Sequence, residues 1–191
     1  MVGITAYGAY VPKRRLNRMA IIQSMAWLAP GLMTAARGER SMCNWDEDAM
    51  TMAVAAAKDC VTGMDRGAIN AAYLASTSLP FKDRQNSGIL ATALNLPEEG
   101  LVTADFTSSL KSGTTALLTG IDAIRGEGKD NVLVAASDAR DTKSAWFFEM
   151  WYGDGAASLL LGKDNVIAEF KGAHSVSCDF VPSYKGANRK F

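Results

Sequence analysis

The stretch ADFTSSLKSGTTALLTGIDAI, Ala104–Ile124, decides the fold. Its first residues complete an apolar strand written LVTADF, and a short polar turn follows. The next segment, Ser112–Arg125, has apolar side chains at helical spacing, which predicts an amphipathic helix. These apolar side chains are Leu117, Leu118, Ile121 and Ile124. A strand, a sharp turn and a helix form the place where many α/β enzymes hold a nucleophile, so the stretch raises the question of which residue fills that position here.

The composition excludes several classes of function. The 191 residues are 48% hydrophobic and 21% charged, which is ordinary for a globular protein. Basic and acidic side chains number 20 each, and without a basic stripe we expect no nucleic-acid partner. No apolar run is long enough for a membrane span. The charges near the N-terminus follow the apolar residues, unlike a secretory signal, and the three cysteines are widely spaced, so we expect a reduced, cytoplasmic protein.

Working outward, the pattern gives the element order β-α-α-β-α-β-α-β-β-β. Strands that alternate with helices predict an α/β fold with a mostly parallel sheet and helices on both faces. The first helix is predicted over residues 16–29 and is ended by Pro30. The segments DGAASLLLG and VIAEFKGA are predicted to form a hairpin around Lys163–Asn165.

Five stretches together resemble the thiolase superfamily, in the branch of hydroxymethylglutaryl-CoA synthase and the acetyl-CoA-primed β-ketoacyl-carrier-protein synthases. They are DEDAMTMAVAAAKDC, INAAYLASTSLPF, DFTSSLKSGTTALLTGIDAI, NVLVAASDAR and YGDGAASLLLG, in the family's order and with its rough spacing. The resemblance implies a thiolase-like fold, in which two βαβαβαββ halves form an αβαβα layered structure. It also implies acyltransferase chemistry of lipid metabolism, with a coenzyme A thioester as the ligand and no covalently bound cofactor.

The resemblance covers only the first of the two halves. We therefore expect residues 1–174 to form a thiolase-like N-terminal half and residues 175–191 to begin a connector or tail. The expected partner is a thiolase-like chain or a missing second half, in a homo- or hetero-oligomer. Family members form homodimers through the strand before the nucleophile turn, so the resemblance places an interface near the segments AAYLASTS and VTADF.

The family nucleophile is a cysteine, and aligning Asp105 and Gly113 with the family motif places Leu110 at that position. Leucine has no lone pair with which to attack a thioester. A slip of two residues would put Ser108 or Ser112 at the turn, but it would break the Gly-Thr match. Ser109 lies one residue away from the nucleophile position.

The family's general acid/base glutamate is also replaced, because the segment LASTSLP places Thr77 at that position. A threonine hydroxyl does not transfer protons near neutral pH as a tuned carboxylate does. Two substituted positions predict a chain that does not itself perform the family reaction, a pseudoenzyme. The alternative is a condensing acyltransferase that uses an unconventional residue or a partner chain. A third interpretation, a nucleotide-binding domain, is supported only by pairs of glycines.

Other chemically suggestive residues have ordinary structural explanations. Ser108 and Ser109 are predicted to cap the following helix, and Lys111 either binds a CoA phosphate or is solvated. The only histidine, His174, is expected in a loop, and without a CxxC pair we predict no metal site. Cys60 is predicted to lie in the core.

The remaining features stay open or indicate a turn. Cys43 lies in a loop with no base near it in sequence. Trp146 and Trp151 flank FFEM, an aromatic cluster that lines an acyl or partner surface or is buried in a core or interface. GDGAAS precedes a strand and not a helix, so we interpret it as a turn and not as a dinucleotide-binding loop.

Overall fold

A computed structural model describes residues 1–126, 128–144 and 147–178, with the side chain of residue 147 excepted. The strands in these residues are β1 Gly3–Tyr10, β2 Arg14–Asn17, β3 Glu39–Met42, β4 Ala71–Ala75, β5 Val102–Phe106, β6 Val132–Asp138, β7 Gly155–Gly162 and β8 Ala168–Glu169. The α-helices are α1 Arg18–Met25, α2 Ala49–Cys60, α3 Asn86–Ala93, α4 Ser112–Arg125 and α5 Phe147–Trp151. Two 3₁₀ turns span Pro30–Thr34 and Arg66–Ala68. None of the described helices is long and apolar enough to cross a bilayer.

The main sheet has the strand order β5-β4-β6-β7-β1-β8 in the described part of the chain. β4 pairs in parallel with β5 and β6, whereas β7 runs antiparallel to β6 and β1. Four of the six strands, namely β1, β4, β5 and β6, therefore point in one direction. This arrangement confirms the predicted α/β class.

Helices cover both faces of the sheet because the chain changes direction after β5. It moves outward from β4 to β5 through α3 and then back past β4 to β6 through α4. Since such crossovers are right-handed, opposite directions place the two helices on opposite faces. Accordingly, α3 packs with α2 against Leu74 and Leu133, whereas α4 packs against Tyr73 and Val134.

The predicted hairpin around Lys163–Asn165 is wrong. The chain does turn there, with Asn165 at φ 55°, but β8 does not pair with β7. Instead β8 adds to the other edge of β1, where Gly3 lies opposite Glu169. The reason is that β7 already uses both of its edges, one for β6 and one for β1.

A small subdomain beside the sheet was not predicted. β2 pairs with β3 in a separate two-stranded sheet, and α1 ends at Met25, earlier than expected. The side chains of Ile22, Met25 and Met150 are almost fully buried together, so α1 and α5 share a core of their own. The Arg18 Nε donates to the Met150 carbonyl oxygen at 3.0 Å, which ties the two helices to each other.

α2 is held at its start by a side-chain cap and packs closely against β1. The Asp48 side chain accepts from the Thr51 N–H, and the Thr51 hydroxyl accepts from the Asp48 N–H, which completes a capping box. Cys60 is 3% exposed, so the prediction that it lies in the core is confirmed. β1 can approach α2 this closely because of Gly8, where a Cβ would collide with the Cys60 nitrogen and the Ala56 carbonyl oxygen.

Candidate functional site

The turn between β5 and α4 forms the candidate elbow. β5 ends at Phe106 and α4 begins at Ser112. Ser108 has φ 65°, a left-handed conformation that is uncommon for a residue with a side chain. The turn is closed by a hydrogen bond of 3.1 Å from the Ser112 N–H to the Ser109 carbonyl oxygen.

The prediction that Ser108 and Ser109 cap α4 is wrong in position. The N-cap residue is Lys111, and no side chain caps the helix. The Ser109 Oγ instead accepts from the Lys111 N–H at 3.1 Å, which stabilises the turn and not the first helical turn. The reason is that α4 starts later than a serine cap would require.

The side chains at the elbow differ strongly in exposure. Leu110 is 58% exposed, so an apolar side chain projects from the turn at the position aligned with the family nucleophile. Lys111 and Ser108 are exposed, and Ser112 is 7% exposed at the start of the helix. The turn between β5 and α4 thus holds two exposed serines, Ser108 and Ser109, beside the exposed Leu110, and Ser108 is the one with a left-handed backbone.

Thr77 follows β4, beside the elbow, and lies in a dense hydrogen-bond network. The Asp138 Oδ1 at the end of β6 accepts from the Thr77 N–H at 2.7 Å and from the Thr77 hydroxyl at 3.0 Å. It also accepts from the Ser76 hydroxyl at 3.0 Å and from the Ser78 hydroxyl at 3.1 Å. One carboxylate therefore fixes the whole segment Ser76–Ser78 against β6.

The elbow and the Thr77 segment are joined through the backbone. The Ser76 N–H donates to the Phe106 carbonyl oxygen at 3.0 Å, which brings the ends of β4 and β5 together. The carboxyl ends of parallel strands are where ligands bind in α/β sheets. Leu110, Thr77 and Asp138 consequently lie at or just beyond the carboxyl ends of three adjacent strands, β5, β4 and β6.

Asp105, the penultimate residue of β5, holds α3 in place behind the elbow. Its carboxylate accepts from the Asn86 N–H at 2.7 Å, the Asn86 Nδ2 at 2.9 Å and the Ser87 N–H at 2.7 Å. Burial alone would raise the pKa of the Asp105 carboxyl, but the hydrogen bonds from Asn86 and Ser87 lower this pKa below its usual value. Sequence reasoning used Asp105 only to align the motif and missed its role as an anchor.

The glycine-rich segment GDGAAS leads into strand β7, as predicted, and Asp154 within it anchors the neighbouring chain. The Asp154 Oδ2 accepts from the Cys43 N–H at 2.8 Å, and the Ser41 hydroxyl donates to the Asp154 carbonyl oxygen at 2.6 Å. Arg40, 8% exposed, lies 3.9 Å from the same carboxylate and donates to the Tyr152 carbonyl oxygen at 2.7 Å. Burial, followed by the nearby Asp154 carboxylate, raises the pKa of the Cys43 thiol to about 12. Cys43 is thus a poor nucleophile.

The aromatic residues near α5 form a stacked, partly exposed group. The Phe148 ring lies 5.5 Å from the Tyr152 ring, and the Arg140 guanidinium lies 4.3 Å above the Tyr152 ring. Trp151 is 57% exposed, so it does not belong to the core. Trp146 lies outside the described residues.

The described residues, 1–126, 128–144 and 147–178, contain no group of three histidine, cysteine, aspartate or glutamate side chains that could hold a metal ion. His174 is exposed in a segment without regular structure. The expected connector, residues 175–191, lies mostly outside the described residues, so that boundary stays a prediction.

Curated proteins similar to this chain include hydroxymethylglutaryl-CoA synthases. Hydroxymethylglutaryl-CoA synthase from Thermococcus gammatolerans is 30% identical over 182 residues, covering 93% of this chain and 50% of the relative. The synthase of the same name from Methanobrevibacter smithii is 29% identical and covers 97% of this chain and 54% of the relative. The chain thus spans about half the length of the curated relatives it matches. No family model matches the chain.

Solved structures show the same fold. MvaS, determined in complex with 3-hydroxy-3-methylglutaryl coenzyme A, superposes with a TM-score of 0.76 at 20% identity, over 86% of this chain and 40% of that one. The 3-oxoacyl-[acyl-carrier-protein] synthase III from Aquifex aeolicus gives 0.75 at 18% identity, over 86% and 54%. The thiolase-like fold and the resemblance to hydroxymethylglutaryl-CoA synthase are therefore confirmed.

Proposed function

We propose that this thiolase-like, hydroxymethylglutaryl-CoA synthase-like chain is a non-catalytic half that acts by binding a coenzyme A thioester or by assembling with a partner. The observation that carries the proposal is the exposed Leu110 side chain on the turn where the family holds its nucleophile. A methyl-tipped side chain offers a thioester no electron pair.

The state of Thr77 supports the same conclusion. Its hydroxyl donates to the Asp138 carboxylate at 3.0 Å. A hydroxyl whose proton is already held by a carboxylate, and whose own pKa is far above neutrality, does not supply a proton to a condensing enolate. Leu110 therefore offers no nucleophile and Thr77 offers no general acid/base for the condensation.

Coenzyme A is the proposed ligand because the fold match includes MvaS, which was solved with a coenzyme A thioester. Lys111 is exposed beside the elbow and is the proposed contact for a phosphate of CoA. Lys163 offers a matched control because it is also exposed but lies far from the elbow. It follows β7, whose last residues pair with the start of β6, at the opposite end of the strands.

Isothermal titration calorimetry with CoA tests the proposed ligand. The wild-type chain is expected to bind CoA, and Lys111→Gln is expected to weaken binding severalfold at low salt because one charge-assisted contact is lost. Lys163→Gln is expected to bind as the wild type does. Wild-type protein that shows no CoA binding would remove the ligand from the proposal and leave only the assembly role.

The proposed partner is a second thiolase-like half or chain, because the chain matches only half the length of its relatives. β5 lies at the edge of the sheet, and Val102 on it is 44% exposed. We propose that this edge contributes to a homo- or hetero-oligomer. In sedimentation velocity, the wild-type chain is expected to show a species larger than the monomer. Val102→Lys is expected to sediment only as a monomer, because a buried ammonium opposes association at this edge.

A second candidate, an active condensing acyltransferase, rests on Ser108. This serine is exposed in the turn and has a left-handed backbone, with φ 65°, which is the conformation that a nucleophile at a sharp elbow can adopt. Its test is covalent capture of an acyl group at that serine, which the non-catalytic proposal forbids.

A further inference from the structure

The hydroxyl groups around Asp138 have a fixed hydrogen-bond polarity. An ionised carboxylate accepts hydrogen bonds and donates none. The hydroxyls of Ser76, Thr77 and Ser78 lie 3.0, 3.0 and 3.1 Å from the Asp138 Oδ1, so each of them is the donor. The Ser76 and Ser78 hydroxyl oxygens also lie 3.4 Å apart, so one of these two hydroxyls can donate to the other instead. The Thr77 hydroxyl has no such neighbour among the described residues, so its proton goes to Asp138 and only its lone pairs are left for another partner.

Two of these hydroxyls also use their lone pairs within the chain. The Ser76 Oγ accepts from the Ser78 N–H at 3.0 Å, and the Ser78 Oγ accepts from the Ala139 N–H at 2.9 Å. Within the described residues, the Thr77 Oγ1 accepts from no protein group. Ser76 is 2% exposed, whereas Thr77 is only half-buried, so part of Thr77 faces solvent, where a ligand can approach it.

The location of this oxygen indicates the ligand group. Thr77 and the elbow follow adjacent strands that are joined by the hydrogen bond from Ser76 to Phe106. We propose that Thr77, positioned by Asp138, is an acceptor-only subsite that receives an amide N–H from the pantetheine arm of a CoA thioester. This inference rests on the proposed function, because it names the contact that a bound CoA makes beside Leu110.

Calorimetry with two ligands tests the subsite. CoA carries the pantetheine amides, and adenosine 3′,5′-bisphosphate retains the nucleotide and lacks the arm. Thr77→Val removes the acceptor oxygen at nearly constant shape and is expected to weaken CoA binding about five- to tenfold, while the bisphosphate binds unchanged. Thr77→Ser keeps the oxygen and is expected to bind both ligands as the wild type does.

Three results would overturn the inference. They are unchanged CoA affinity in Thr77→Val, an equal loss for both ligands, or a loss of CoA affinity in Thr77→Ser that matches the loss in Thr77→Val. Wild-type protein that binds no CoA overturns the proposed ligand and this contact together, whereas CoA binding that ignores Thr77 overturns the contact alone. If Thr77→Val does not fold, wild-type protein is titrated with a CoA analogue N-methylated at its pantetheine amides, which is expected to bind more weakly than CoA; equal binding overturns the inference.

Discussion

Replacing Asp105 with alanine is expected to loosen α3 and cost a large part of the stability of the fold. The substitution removes the acceptor for three hydrogen bonds of 2.7–2.9 Å from Asn86 and Ser87. Both partners are almost fully buried, at 1% and 0% exposure, so water does not replace the lost carboxylate easily. Hydrogen bonds to charged groups contribute about 1.5–3 kcal/mol each, but they are not additive, so we expect a total loss of about 2–4 kcal/mol.

Thermal unfolding followed by circular dichroism measures this loss. For a chain of this length, 1 kcal/mol corresponds to roughly 2–4 °C, so Asp105→Ala is expected to lower the Tm by about 5–15 °C. Asp164→Ala is the matched control, since Asp164 is exposed in the turn after β7, and it is expected to change stability by less than about 0.5 kcal/mol. An Asp105→Ala protein as stable as this control would refute the reasoning.

The same anchor predicts a pH dependence. Because folding lowers the pKa of Asp105, its stabilising effect is complete above the ordinary carboxyl pKa of about 3.9 and is lost as the pH falls through the lower pKa of the folded state. The difference in unfolding free energy between wild type and Asp105→Asn is thus expected to be constant near neutrality and to shrink below about pH 4. A difference that grows on acidification would contradict this assignment.

Three further outcomes follow from the packing and the thiols. In the folded protein, Ellman's reagent is expected to label the exposed Cys178 rapidly and the half-buried Cys43 and buried Cys60 slowly, since burial raises the pKa of both thiols. Rapid labelling of Cys43 would contradict the raised pKa of its thiol. Gly8→Ala is expected to destabilise the fold by about 3 kcal/mol, measured by urea unfolding, because the new Cβ meets α2 backbone atoms; a loss below about 0.5 kcal/mol would show that β1 and α2 separate freely. Leu110→Cys is expected to yield no condensed acyl-CoA product by mass spectrometry, because the residue at position 77 still cannot move a proton, and robust condensation would count against the account.

Local patterns in the sequence were enough to predict several elements. The spacing of Leu117, Ile121 and Ile124 gave α4 the bounds that the structure shows, since a helix is specified by residues three and four apart. The buried position of Cys60 was likewise predicted from its sequence context, and the structure shows this residue 3% exposed on α2.

Pairings between distant segments could not be predicted in the same way. The position of β8 depends on an open edge of β1, more than 160 residues earlier, and no local pattern records it. The pairing of β2 with β3 was missed because Arg14–Asn17 is short and polar and lacks an alternating apolar face, and because α1 separates the two strands in the chain. A long-range contact therefore decided each of these differences.

In the candidate site, too, local features were predicted from the sequence and contacts between distant residues were not. The position of Leu110 came from the order of residues in one turn, and the structure places that side chain in solvent. The network around Asp138 joins residues about 60 positions apart, so only the folded chain shows that the Thr77 hydroxyl is already engaged. The anchoring of α3 by Asp105 was hidden for the same reason.

Intact-mass spectrometry of the wild-type chain after incubation with acetyl-CoA tests most directly whether the elbow lacks a nucleophile. We expect no added acetyl group on the peptide that contains the elbow, while the same sample still binds CoA in calorimetry. An added acetyl group that peptide mapping places on Ser108, Ser109 or Ser112 would contradict this expectation and would support an active acyltransferase.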